Sequence, residues 1–163
     1  MATPSKPEMP AVSATGFSVR DARRGDADGI AALLKELGYP QGADISTVHW
    51  AVSHPEIEIF VAADGRDKAI GLLSMSHRPQ LRMNGRIATI DELVVAVAWR
   101  RRGVGRALLK RAVEKAKTLT CKRLELVTHR GRGDYVRQFY EACGFSEADS
   151  TVLRFGELDF QRR

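Results

Sequence analysis

The chain has 163 residues, 44% hydrophobic and 28% charged, which suits one globular domain with a real core. Lysine and arginine number 26 against 20 acidic residues, and the net charge of +6 favours anionic partners without choosing among nucleotide, phosphorylated cofactor and nucleic acid. No apolar run approaches the roughly 18 residues of a membrane span, which argues against a membrane-spanning chain. Cys121 and Cys143 show neither metal-ligand spacing nor the density of a disulfide framework, so no metal site is expected and a reducing cytoplasm is the expected compartment.

Residues 1–16 carry three prolines and no continuous apolar stretch, so they read as a flexible leader, with residues 17–163 as a single domain. Phe17 to Arg20 can form a short strand. Asp26 is then placed to N-cap a helix with Ile30, Leu33, Leu34 and Leu37 at helical spacing, ended by Gly38. A turn over Tyr39-Pro40-Gln41-Gly42 leads to a second helix, Ile45 to Ser53, stopped by Pro55, and these two helices suit a variable lid. Glu56 to Ala63 alternates as a strand, Asp64-Gly65 signals a hairpin, and Lys68 to His77 supplies the partner. Arg78 to Gly85, with a proline and an Asn-Gly, predicts a loop or ragged strand end before a strand over Arg86 to Val97.

Leu109, Ala112, Val113 and Ala116 form one face of a helix over Gly103 to Thr118, and Arg123 to Thr128 forms the next strand. A basic loop, His129 to Gly133, leads to Asp134 as a second N-cap candidate and a helix from Tyr135 to Cys143 that ends at Gly144. Thr151 to Phe160 can form a closing strand. Strand 86–97, helix 103–118 and strand 123–128 make a parallel β-α-β unit with a right-handed crossover, and the antiparallel strands ahead of it make the fold class α+β with a mixed sheet.

The stretch Asp91 to Leu109, DELVVAVAWRRRGVGRALL, runs from an apolar strand through three arginines and Gly103-Val104-Gly105 into a helix. The first N–H groups of a helix lack internal partners and lie at the positive end of its dipole, so the turn suits an anion and points to a phosphorylated ligand. A dinucleotide-binding turn would want a further glycine or alanine near Leu108, and a phosphate loop would want Gly-Lys-Ser/Thr.

Arg100-Arg101-Arg102-Gly103-Val104-Gly105 matches Arg/Gln-x-x-Gly-x-Gly/Ala, and FYEACGF at Phe139 to Phe145 follows in the right order. In these two segments the chain resembles the GNAT N-acetyltransferase superfamily, over most of Phe17 to Phe160. The resemblance implies a GNAT-like, mostly antiparallel central sheet flanked by about four helices, with acetyl-CoA as co-substrate at the β-α-β unit. It implies pyrophosphate binding at Arg100, Arg101, Arg102, Gly103, Val104, Gly105 and Arg106, and pairing of the pantetheine arm with the backbone of Leu93, Val94 and Val95. It places Tyr140 as the general acid that protonates the departing thiolate, a role that suits a phenol with a reference pKa of about 10. Glu92 takes the place of the carboxylate base that receives the proton of the amine. Asp91, turned to the opposite face of a regular strand, is the alternative, with His129 and His77 behind it. Where many members carry an asparagine and an alanine before the tyrosine, this chain has Gly133 and Val136, and the surrounding sequence is closer to small-molecule acetyltransferases.

The expected activity is therefore direct transfer of an acetyl group from acetyl-CoA to a small-molecule primary amine in a ternary complex, with a homodimer allowed. Tyr39, Trp50, His77 and Arg78 are the expected acceptor lining, and arginines at 78, 82 and 86 suit an anionic acceptor. A protein or peptide acceptor is the alternative, and an acyl-CoA sensor without turnover is the rival from another class. A nucleic-acid module fits poorly, because no basic sheet interleaved with aromatics is visible.

Overall fold

The computed structural model describes residues 15–41, 43–129 and 134–156. The expected leader lies outside the described residues except for Thr15 and Gly16, as do Gly42, residues 130–133 of the basic loop and residues 157–160 of the expected closing strand. The described residues fall within two compact units, Met1–His129 and Arg130–Arg163, which are taken in turn.

The first unit is a five-stranded mixed sheet, as the α+β expectation required. Its strands are β1 (Phe17–Asp21), β2 (Ile57–Asp64), β3 (Ala69–Gln80), β4 (Gly85–Val95) and β5 (Arg123–Leu126), and they lie side by side in chain order. All neighbours are antiparallel except β4 and β5. Helices α1 (Ala27–Glu36) and α2 (Ile45–Ser53) precede β2, and α3 (Val104–Thr118) crosses from β4 to β5.

The alternation of strand side chains divides the sheet into two faces. Leu72 and Val94 project towards α1 and α2, in a core with Ile30, Leu33, Val48, Val61 and Ala63. The opposite face carries α3, whose buried Val104, Leu108, Ala112 and Ala116 recur every fourth residue as one stripe, with Leu109 beside it. Gly71 permits this contact, since a Cβ there would stand 2.9 Å from Val104 Cγ1 and 3.1 Å from Leu108 Cδ1. Fully burying a leucine such as Leu108 is worth about 1.5–3 kcal/mol, so the stripe is the main hold of α3 on the sheet.

Several local expectations are corrected. Asp26 is the N-cap residue of α1 as expected, but its carboxylate makes no cap bond to that helix; it receives the Arg20 guanidinium at 2.8 and 2.9 Å and the Arg23 backbone N–H at 2.7 Å. Strand β3 continues to Gln80 rather than ending at His77, and a single 3-10 turn, Leu81–Met83, with left-handed Asn84 reverses the chain. Strand β5 stops at Leu126, short of Thr128. In the second unit, α4 (Asp134–Ala142) ends with the Phe145 N–H on the Tyr140 carbonyl at 3.0 Å and Gly144 at φ +91°, the closure for which glycine is preferred. The described residues of the expected closing strand, 151–156, form no strand, and Val152, Leu153 and Phe155 are exposed. A segment rich in β-branched and aromatic side chains becomes a strand only where a neighbour completes its ladder.

Candidate active site

At the end of β4 the sheet opens. The parallel register couples Ile87–Ile90 with Arg123–Leu126 and goes no further, whereas on the other side Leu93, Val94 and Val95 stay paired with Leu73, Leu72 and Gly71. From Asp91 onward the edge of β4 that faces β5 therefore carries no ladder among the described residues. The Ala96 N–H is turned to β3, where it donates to Ile70 O at 2.9 Å, so Leu93 and Val95 direct their backbone groups to the open edge. Their side chains are packing groups, with Val94 buried among α1 and α2.

The chain leaves this edge through a 3-10 turn, Val97–Trp99, and the arginine-glycine run. Arg101 (φ +63°) and Gly103 (φ +83°) both adopt left-handed backbone, which curls the run into a concave turn ahead of α3. A non-glycine residue in that conformation is uncommon and marks a turn held by its surroundings. The first bond of α3 is Ala107 N–H to Gly103 O at 3.0 Å, so the N–H groups of Val104, Gly105 and Arg106 come before the helical ladder begins. Arg100 and Arg102 both make contacts within this segment. Arg100 Nε donates to the Val95 carbonyl at 3.0 Å, tying the turn to the strand, and the Arg102 guanidinium stacks 4.8 Å from the Trp99 ring centroid. Arg101 and Arg106 are exposed at the mouth of the turn. The Val97 N–H donates to Glu36 Oε2 at 3.1 Å, so the last residue of α1 holds the entry to the turn.

The other end of this segment, at Asp91 and Glu92, is built on a bulge. Ser74 pairs with Glu92, but the next residue of β3, Met75, pairs with Ile90, leaving Asp91 as an extra residue on β4. The Ser74 hydroxyl donates to Glu92 Oε2, and Ser76 stands near enough to the Asp91 carboxylate to lower its proton affinity. Ser74 and Ser76 are two apart on one strand and share a face, so both carboxylates lie on that face, the one that carries α1 and α2. The expectation that Asp91 points to the opposite side assumed a regular strand and is corrected. Burial and the adjacent Asp91 charge push the Glu92 carboxyl up. Burial also pushes Asp91 up, against the effect of Ser76 and the Arg78 charge. Arg78 occupies the same face two residues beyond Ser76. Adjacent carboxylates with raised proton affinity are suited to binding an ammonium group and accepting its proton.

His77 is not brought to this group. It lies on the α3 face, 5% exposed, accepting Arg86 Nη1 at Nδ1 (3.1 Å), with Nε2 3.5 Å from Glu58, which in turn meets Lys115 Nζ of α3 at 3.1 Å. One step of strand parity thus separates His77 from Arg78, and it removes both His77 and Arg86 from the side of the carboxylates. Tyr39 and Trp50, 60% and 61% exposed, belong to the α1–α2 side, and Trp50 tilts against His54 at 4.9 Å. An open cleft of about 460 Å³ there takes in Trp50 with Arg24, His49 and His54, and neither Tyr39, Arg78 nor Glu92 is among its walls. In the second unit, Tyr140 is half-buried, with its ring 5.2 Å from Phe139 and 6.1 Å from Phe145. Gly133 lies outside the described residues. Sequence reasoning set the acceptor pocket near Ser74 to Arg78 and Glu92 but gave Ser74 and Ser76 no role, their only signal being two hydroxyls at alternate positions within an apolar strand.

Comparison with known proteins gives a consistent result. Residues 29–145 match the Acetyltransferase (GNAT) family. A protein of Oryza sativa subsp. japonica named Probable glucosamine 6-phosphate N-acetyltransferase 2 is 30% identical over 160 residues, covering 89% of this chain and 92% of that one. The crystal structure of a transcriptional regulator from Bacillus halodurans C-125 superposes with a TM-score of 0.76 at 28% identity, covering 86% of this chain and 99% of that one. That of an aminoglycoside acetyltransferase from an uncultured soil metagenomic sample reaches 0.78 at 16% identity, over 90% and 99%, which speaks for the fold alone.

Proposed function

The chain belongs to the GNAT family of acetyltransferases, and from that premise we propose that it transfers the acetyl group of acetyl-CoA to a primary amine of a small molecule. The observation that carries this reading is the juxtaposition on β4 of an open backbone edge, an anion-binding turn at one end and two carboxylates at the other. The residues fit the co-substrate. Backbone groups at Leu93 and Val95 can pair with a polar, extended pantetheine arm, and the N–H groups of Val104 to Arg106 can receive a pyrophosphate, with Arg101 and Arg106 adding screened attraction. When bound, acetyl-CoA supplies an acyl carbon activated by a thiolate leaving group.

The remaining tasks fall to side chains. Asp91 and Glu92 bind the acceptor as its ammonium form, and Glu92 takes a proton so that the neutral nitrogen can attack. The C–N bond forms as the C–S bond breaks, and the Tyr140 hydroxyl gives its proton to the sulfur. A free amine with a lysine-like pKa of about 10.4 is mostly protonated at neutral pH, which is why a base beside it matters. Tyr39, Trp50 and Arg78 are the proposed acceptor contacts, and His77 is withdrawn from them. The glucosamine 6-phosphate relative supports an amino-sugar type of acceptor, with Arg78 on the carboxylate face as the group for an anionic substituent.

The test is incubation with acetyl-CoA and a panel of amino sugars, amino sugar phosphates, aminoglycosides and peptides, with N-acetylated product detected by mass spectrometry. Acetylation of a small amine supports the proposal, acetylation of peptides alone supports a protein acceptor, and tight acetyl-CoA binding with no product from any amine supports a sensor.

A further inference from the structure

Ser74 interrupts an apolar strand. Leu72, Leu73 and Met75 around it are fully buried, and Ser74 itself is 8% exposed, so a hydroxyl at this position requires a partner. Its partner is Glu92, directly opposite in the register, where paired side chains of adjacent strands are close enough for a one-carbon arm to reach. A carboxylate only accepts, so the serine donates.

We propose that Ser74 is a positioning residue for Glu92, its hydroxyl holding that carboxylate in one orientation and in its ionised form on the bulged face of β4. The inference rests on Glu92 being the base of the proposed acetyl transfer.

The surroundings give the serine this task. The bulge places Asp91 beside Glu92 with a like charge, and Asp91 has Ser76 and the nearby Arg78 charge to lower its own proton affinity. On β5 the side chains of that face, Arg123 and Glu125, pair with each other at 3.9 Å, and Glu36 at the end of α1 is committed to the Val97 N–H. Burial and Asp91 both favour the protonated form of Glu92, whereas a hydroxyl that donates to a carboxylate favours its charged form, which is the effect the Ser74 contact would add. The two hydroxyls match the two carboxylates one to one, because the extra residue on β4 brings neighbours in sequence onto the face that β3 reaches only every second residue.

The test is an NMR titration of the ¹³C-labelled Glu92 side-chain carboxyl in the free protein, for wild type, Ser74→Ala and Ser74→Thr, alongside the pH dependence of kcat/KM with the fastest amine. The alanine variant should raise the Glu92 midpoint by about one pH unit, a tenfold change in proton affinity, and threonine, which keeps the hydroxyl, should restore it. The acid limb of kcat/KM should move with the midpoint, with KM for acetyl-CoA unchanged. A midpoint that stays put in the alanine variant, or that moves equally in both variants, would overturn the proposal. The titration needs neither acetyl-CoA nor amine, so failure of the wild type to acetylate any amine would count against the proposed function and is read separately from this contact.

Discussion

Asp91 and Glu92, neighbours in sequence, lie on the same face of the sheet, because β4 carries one residue more than β3 between the pairs Ser74↔Glu92 and Met75↔Ile90. A regular strand would have sent one of them into the α3 core. The bulge instead gathers two carboxylates on the face that carries α1 and α2, where burial and the adjacent Asp91 charge push the Glu92 carboxyl up.

That arrangement has a signature in both rate and stability. Glu92→Gln should lower kcat by about 10²-fold and move the optimum upward, towards pH values at which the amine sheds its own proton. An unaltered profile would pass the base role to Asp91 or His129. For stability, the folded protein holds the Glu92 carboxyl above its unfolded value of about 4.3, so wild-type stability falls as pH rises from that value through the raised one. The glutamine variant escapes this loss. It should melt above the wild type at pH 7, with the difference closing as pH drops below about 4.3 in calorimetric scans.

Gly103 tests the anion turn. At φ +83° an added Cβ would meet nothing within 4 Å, so Gly103→Ala acts through backbone strain alone, of roughly 1–2 kcal/mol. The expected result is a several-fold higher KM for acetyl-CoA with kcat little changed, read from initial rates at saturating amine.

The Arg20–Asp26 pair ties β1 to the start of α1. Both side chains are more than nine-tenths buried, and Arg20 also reaches Asp67 in the β2–β3 turn at 2.9 Å. Arg20→Ala strands a buried carboxylate and should cost about 3–5 kcal/mol in urea unfolding. Burial alone would raise the Asp26 carboxyl, but hydrogen bonds from Arg20 and Arg23 and their charges bring it below its ordinary value. Its contribution is therefore present above the unfolded value of about 3.9 and lost as pH falls through the lower folded one, a loss that Asp26→Asn should not show.

Tyr140→Phe removes a proton donor and leaves the ring contacts to Phe139 and Phe145. Turnover should fall by about 10²-fold or more while the Kd for acetyl-CoA from calorimetry changes little. Unchanged turnover would take Tyr140 out of the acid role.

Much of this molecule could be read before its structure, where the determinants are local. The glycines of Gly103-Val104-Gly105, the apolar spacing of Ile30, Leu33 and Leu34, and the stop at Gly144 announce turns and helices within a few residues of themselves. The bulge at Asp91 had no such announcement, since register belongs to a pair of strands. The same holds for His77, whose face depends on how β3 is registered against its neighbours, and for Arg20, whose partner Asp67 is 47 residues away. Residues 151–155 are rich in β-branched and aromatic side chains, but a strand is completed by its neighbour. At the site, the turn ahead of α3 was legible because backbone and glycine form it; the Asp91–Glu92 end depends on which side chains two strands bring together.

In the proposed complex acetyl-CoA lies along β4, its arm on the open backbone edge and its pyrophosphate at the start of α3. Amide hydrogen exchange followed by NMR, with and without acetyl-CoA, tests it most directly. The account predicts that the Leu93 and Val95 amides gain protection and that those of Val104, Gly105 and Arg106 shift and gain protection with them. Saturating acetyl-CoA that leaves all five amides unchanged while protecting another part of the chain would contradict it.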